Sequence, residues 1–273
     1  MDGPYDVILF AGQSNMQGQC EAPTDRRPVE GAIEYRSLAG EWIPLRDPVG
    51  ENIRPDWTEG FDYGDGSGRN WGASHVLGAP VHGNGTLIPS FCRAYIAGCG
   101  RKVAAVSAAK GAAAMKDWLP GSASCGALLR KFSEAAERLG EAASSLGPTA
   151  VWLQGESDAI DGRAKAQYKA DLSAFGGFLR REAGVRRFGI IRVGRFTGDG
   201  RDLEIIAAQD ELCREDPFFL MLTREAADLC ADPAWMNPEA HGHFNARGLE
   251  RLGASAGAAL AREIRGLTGG RTE

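Results

Sequence analysis

A three-layer α/β fold, with a central parallel sheet covered on both faces by helices, is what this 273-residue sequence predicts. Three observations carry the prediction. Short apolar runs rich in β-branched residues recur along the chain, longer segments with helical periodicity separate them, and polar turns follow several of the runs where a parallel sheet gathers its reacting groups. The first run is expected to span Tyr5 to Phe10 and passes directly into Ala11-Gly12-Gln13-Ser14-Asn15-Met16. The next are Lys102 to Val106, Ala150 to Leu153, Gly189 to Val193 and Phe218 to Leu222, each the length of one buried strand. Helices are expected over Ala127 to Ala143, Ala164 to Glu182, Leu203 to Arg214 and Leu249 to Ile264, the last rich in Ala and Gly. The alternation points to a flavodoxin-like sheet within one domain, residues 1–273, whose tail from Thr268 to Glu273 is expected to fray.

The stretch from Gln17 to Pro89 breaks the pattern. It is dense in Gly, Pro, Asp and Trp, has little sustained periodicity, and reads as a long, ordered, loop-rich insertion after the first strand. Its aromatics, Trp42, Trp57, Phe61, Tyr63 and Trp71, have the faces that stack on sugars, although packing into a core is the commoner fate of a tryptophan. His75 and His82 fall in the same stretch with no evident partner and read as surface or packing residues.

Composition narrows the function. With 31 Lys and Arg against 36 Asp and Glu, the chain carries a net charge of −5 and has no long basic run, which argues against a nucleic acid or an anionic membrane as its main partner. The six cysteines are scattered without a CxxC pair or zinc spacing and read as reduced thiols, so neither a metal nor an organic cofactor is expected. Asp2 stands where a secretory signal carries basic residues, the following apolar run is only a strand long, and no segment approaches the roughly 20 apolar residues of a membrane helix. The expected location is therefore the cytoplasm.

Three strand-end segments carry the chemistry. Gly12-Gln13-Ser14-Asn15 presents one hydroxyl beyond the first strand, and Ser14 reads either as a nucleophile or as the cap of the next segment. Trp152-Leu153-Gln154-Gly155-Glu156-Ser157-Asp158 brings a second strand end and its polar groups to the same edge, with Ser157 and Asp158 reading as caps. His241-Gly242-His243-Phe244-Asn245-Ala246-Arg247-Gly248 precedes the last helix, where a loop can hold an imidazole over that edge. A serine, a histidine and a carboxylate from separate strand ends meet the needs of a nucleophile activated by an oriented base.

In this order and spacing, GQSNM, WLQGESD and HFNARG resemble the SGNH/GDSL-type hydrolase superfamily, and within it the branch of sialate O-acetylesterases and carbohydrate esterase family 6 acetylxylan esterases. The similarity runs from residue 6 to about residue 255. It implies the three-layer SGNH hydrolase fold, with Ser14 as nucleophile and His243, rather than His241, as general base. It further implies that the segment Val106 to Ala112 lends the Gly111 amide to an oxyanion hole shared with the Ser14 amide and the Gln154 side chain, and that Gln13, Asn15 and Lys110 lie at the substrate. The chain departs from the superfamily at the acid. An Asp usually precedes the histidine by three residues, and here that position is Ala240. Glu156 ranks first as replacement, Asp232 second and Glu239 last, while the alternative reading of Glu156 is a residue that caps the following helix or holds the Ser14 loop.

These features predict a serine esterase that removes acetyl groups from a carbohydrate or related polyol, acting on a small-molecule or oligosaccharide acetyl ester. Two alternatives stay open: the same chemistry with another acyl group, as in a thioesterase or lysophospholipase, and a non-catalytic carbohydrate-binding protein, which the loss of the acid at Ala240 favours.

Overall fold

The computed structural model describes residues 4–18, 20, 25–51, 85–238 and 240–269. Seven strands form one sheet: β1 (Tyr5–Gly12), β2 (Ala32–Arg36), β3 (Glu41–Pro44), β4 (Lys102–Ser107), β5 (Thr149–Leu153), β6 (Arg187–Ile191) and β7 (Phe219–Thr223). Their spatial order is β3-β2-β4-β1-β5-β6-β7. All neighbours are parallel except β2 and β3. The five strands β4-β1-β5-β6-β7 reproduce the 2-1-3-4-5 order of flavodoxin-like sheets. In that order β1 lies at the point where the chain changes direction, which is where such sheets bind ligands.

The helices are α1 (Ser14–Gln17), α2 (Ile88–Cys99), α3 (Ala123–Leu139), α4 (Glu156–Ile160), α5 (Lys165–Glu182), α6 (Asp202–Glu215), α7 (Ala226–Leu229) and α8 (Ala246–Gly269). Strand alternation sorts the core into two halves. Tyr5, Val7, Leu9 and Ala11 pack with Phe132 of α3, Phe175 of α5 and Ile205 of α6. Ile8 and Phe10 point the other way, onto Phe91 of α2 and Leu252 and Leu260 of α8. A sheet buried on both faces needs apolar residues at odd and even positions alike, which is why the first strand reads as a continuous run.

Besides the short helices α1, α4 and α7, the structure adds β2, β3 and α2 to the sequence reading. Within 17–89, β2 pairs with β4 and hairpins into β3, so part of the expected insertion extends the sheet. Trp42 lies on β3 and meets the Tyr35 ring at 5.3 Å, a packing role. Trp57, Phe61, Tyr63, Trp71, His75 and His82 lie outside the described residues. Helix α2 lies outside the predicted helices, although Ile88, Phe91, Cys92, Tyr95, Ile96 and Cys99 recur at helical spacing and Gly100 closes the helix in the left-handed conformation. At the other end, α8 runs to Gly269, and Thr268, expected in the frayed tail, bonds the Ile264 carbonyl at 3.0 Å. Among the described residues no helix is long and apolar enough to cross a membrane.

Candidate active site

Ser14 stands where β1 gives way to α1, and the local sequence dictates the turn. Gly12 has φ +140°, and a Cβ there would lie 2.0 Å from the Leu153 carbonyl oxygen, so only glycine lets β1 end this close to β5. The Gln13 amide then donates to that same oxygen at 3.0 Å, and the Gln13 carbonyl accepts from Met16 and Gln17 to close the first turn of α1. Ser14 is buried at this turn, and its N–H has no acceptor among the described residues.

The neighbours of Ser14 build the scaffold. Gln13 Oε1 accepts from the Gly155 and Ser157 amides at 3.3 and 3.2 Å, tying the β1 turn to the β5 turn. Asn15, 1 % exposed, makes three bonds. Its Nδ2 donates to Glu156 Oε1 at 2.8 Å and to the Gly242 carbonyl at 3.3 Å, while its Oδ1 accepts from the Phe244 amide at 3.2 Å. Gln13 and Asn15, expected to face substrate, instead direct these groups into the protein, because buried carboxamides need partners and the adjoining turns present them.

Two expected oxyanion donors are also engaged. Gln154 is fully buried, with Nε2 donating to the Ala113 carbonyl at 3.1 Å and to Asp158 Oδ2 at 2.6 Å, and Oε1 facing the Tyr168 hydroxyl at 3.0 Å. Both amide hydrogens are in use, so Gln154 braces the β5 turn and does not offer a donor to an oxyanion. Asp158, read as a cap, anchors this brace and also accepts from the Met115 amide at 2.8 Å. The Gly111 N–H is bonded to Gln17 Oε1 at 2.8 Å. Among the described residues the Lys110 Nζ reaches its own turn, the Gly111 carbonyl at 3.4 Å, while its amide donates to the Gly12 carbonyl and holds this turn beside Ser14. Next to it, Ala112 has φ +56°, a left-handed conformation that costs an L-residue about 1–2 kcal/mol.

His243 is half-buried on the loop before α8. That loop is fixed by the bridge between Met236 and Phe244, by Phe244 packing edge-on against Phe196 at 5.7 Å, and by Asn245, whose Oδ1 caps α8 through the Gly248 amide. The ring Nδ1 lies 3.1 Å from the His241 carbonyl oxygen. A carbonyl only accepts, so Nδ1 carries the hydrogen and Nε2 is left with its lone pair. Burial lowers the His243 pKa below the ordinary histidine value, which favours this neutral form. The His241 ring is exposed; its backbone carbonyl is what meets His243.

Among the described residues, neither Glu156 nor Asp232 bonds the His243 ring. Glu156 is buried with Oε1 on Asn15 and Oε2 without a hydrogen-bond partner among the described residues, and burial raises its pKa while the Asn15 bond opposes the rise. Asp232 is exposed and caps the turn Pro233–Trp235 through the Ala234 amide at 2.9 Å. Glu239 lies outside the described residues. At Ala240, in place of the usual Asp, only the backbone takes part, its carbonyl accepting from the His243 amide at 3.1 Å.

Comparison with known proteins bears on the family and the fold. A family profile described as carbohydrate esterase, sialic acid-specific acetylesterase matches residues 4–262. A structure from Arabidopsis thaliana is similar with a TM-score of 0.64 at 20% identity, over 94% of this chain and 98% of that one. A carbohydrate acetylesterase from Xanthomonas citri is similar with a TM-score of 0.55 at 17% identity, over 98% of this chain and 57% of that one. At these identities the two structures establish the fold. No curated protein sequence matches the chain at a significant level.

Proposed function

This chain belongs to the family of sialic acid-specific carbohydrate acetylesterases, and on that footing we propose that it is a serine esterase acting on O-acetylated carbohydrates or related polyols. Family membership makes it a hydrolase of esters; the nucleophile, the base and the acetyl group are the proposal. Ser14 Oγ attacks the acetyl carbonyl carbon as its proton passes to His243 Nε2. The negative charge that develops on the carbonyl oxygen faces the Ser14 N–H at the start of α1. Collapse of the tetrahedral intermediate releases the sugar hydroxyl, protonated by His243, and leaves an acetyl-serine. Water, deprotonated by the same imidazole, then frees acetate.

The observation that carries this reading is the Asn15 side chain. It belongs to the residue after Ser14 and holds the peptide groups on both sides of His243. The His241 carbonyl supplies half of what a triad acid does. It selects the tautomer that leaves Nε2 free, but it brings no negative charge to stabilise the imidazolium. A Ser–His pair oriented by a carbonyl is therefore expected to turn over more slowly than a full triad.

The test is hydrolysis of p-nitrophenyl acetate and of O-acetylated sialic acid and xylan by the wild type, Ser14→Ala and His243→Ala, each checked for folding by its melting curve. The proposal expects a wild-type rate well above background that both substitutions abolish. A wild type at background on every ester would return the reading to a carbohydrate-binding protein, the alternative that Ala240 favours.

A further inference from the structure

We propose that Asn15 is a positioning residue for the His243 imidazole and that Glu156 acts on the histidine only through Asn15, by fixing which way its carboxamide faces. The inference rests on the Ser14–His243 reading and adds what holds the pair in register.

The Asn15 carboxamide has two hydrogens to give and an oxygen to accept with. The hydrogens go to Glu156 Oε1 and the Gly242 carbonyl, and the oxygen takes the Phe244 N–H. Gly242 and Phe244 flank His243, so the backbone on either side of the imidazole is tied to one side chain. That side chain grows from the helical turn that Ser14 opens, so nucleophile and base are placed from a common origin. The backbone groups that meet the ring directly, at Ala240 and His241, belong to the same loop and say nothing about the distance to Ser14.

Glu156 decides the orientation. A carboxylate only accepts, so the NH2 end of Asn15 must face it, which leaves Oδ1 for the Phe244 N–H. The flipped carboxamide would set oxygen against carboxylate and NH2 against N–H, two repulsions in a site where neither group reaches water. This work needs an acceptor oxygen at position 156 and does not need a charge. Glu156 Oε2, buried and without a hydrogen-bond partner among the described residues, fits a carboxyl whose second oxygen has no task at the ring. A triad acid would instead act by its charge on the imidazolium, and glutamine could not replace it.

The two roles separate in a kinetic series on the full chain with p-nitrophenyl acetate. Asn15→Ala is expected to lower kcat about a hundredfold with KM little changed, since a displacement of about 1 Å between reacting groups has that effect. Glu156→Ala is expected to fall at least tenfold. Glu156→Gln, which keeps an acceptor, is expected to recover to within about fivefold of wild type, the difference between a charge-assisted and a neutral hydrogen bond, with the acid limb of its pH profile in place. An Asn15→Ala enzyme that folds and keeps the wild-type kcat overturns the proposal. So does a Glu156→Gln enzyme that loses as much as Glu156→Ala and shifts the acid limb, because the charge would then be acting on His243. Ser14→Ala tells this failure from failure of the functional reading. If Ser14→Ala is as active as wild type, the nucleophile assignment falls and the clamp with it; if Ser14→Ala is dead and Asn15→Ala is fully active, the clamp alone falls.

Discussion

The same substitution at two glycines of α8 is expected to move stability in opposite directions. Gly257 lies against α2, where an added Cβ would sit 2.2 Å from the Phe91 carbonyl oxygen and 2.9 Å from its carbon. An ordinary C···O approach is about 3.3 Å or more, so α8 must back away by about 1 Å. The atoms it meets are backbone, which no rotamer change can move aside. The retreat loosens Leu252, Ala256 and Leu260, which are buried in the same half of the core. Overpacking of this kind costs about 1–3 kcal/mol, and the rigidity of the obstacle puts it at the upper end; the gain of about 1 kcal/mol from replacing a helical glycine by alanine offsets only part. The net for Gly257→Ala is a loss of about 2 kcal/mol, or about 5 °C in Tm. Gly266, on the exposed side of the same helix, has nothing within 4 Å of an added Cβ. Gly266→Ala therefore keeps the propensity gain, up to about 1 kcal/mol, reduced by fraying near the helix end. Urea unfolding followed by tryptophan fluorescence and far-UV circular dichroism measures both. A Gly257→Ala protein as stable as wild type would refute the close approach of α2 and α8.

Relief of the left-handed strain at Ala112, whose side chain is exposed, should make Ala112→Gly more stable, by about 0.5–1 kcal/mol once the extra freedom of glycine in the unfolded chain is subtracted; a lower urea midpoint would contradict it. Because burial lowers the His243 pKa, the neutral base persists into more acid solution, and kcat/KM should rise with pH to a plateau through a midpoint below 6.5; a midpoint above 6.5 would show that a negative charge holds the imidazolium after all. Burial pushes the Glu34 carboxyl up to about 7 despite its ion pair with Arg36. Its pKa is raised on folding, so the stability it contributes is full below the ordinary value of 4.5 and is lost as pH rises through about 7. The wild type should therefore lose more stability than Glu34→Gln between pH 5 and 8 in parallel urea titrations, and equal losses would place that titration elsewhere.

The parallel core of the sheet was legible because both of its faces are buried, which forces apolar runs at β1, β4, β5, β6 and β7 that no solvent-facing segment would keep. The β2–β3 hairpin was not, because β3 lies at the edge, with Glu41 and Pro44 exposed and only Trp42 and Ile43 between them half-buried. Helix α2 could have been read from its own spacing, but the preceding glycine- and proline-rich stretch hid its start. The three motifs were legible for a different reason. A strand-end turn pressed against its neighbours needs glycine, as at Gly12 against Leu153 of β5 and at Gly155 against Ile205 of α6, and the polar residues beside it have few structural reasons to be there.

The sequence by itself determined the class of fold, the edge of the sheet where polar groups gather, and the family. Which polar groups remain free was decided only by the tertiary structure. Gln13, Asn15, Gly111 and Gln154 all lie at that edge, and each found its partner on a segment distant in sequence: Gly155, Phe244, Gln17 and Ala113. A hydrogen-bond donor is the same group in the sequence whether it faces a ligand or a neighbouring turn. Its availability depends on what the fold sets within about 3 Å of it. The contact at the His243 ring has the same character, since the oxygen 3.1 Å from its Nδ1 is the backbone carbonyl of His241, a group every residue possesses and no motif can mark.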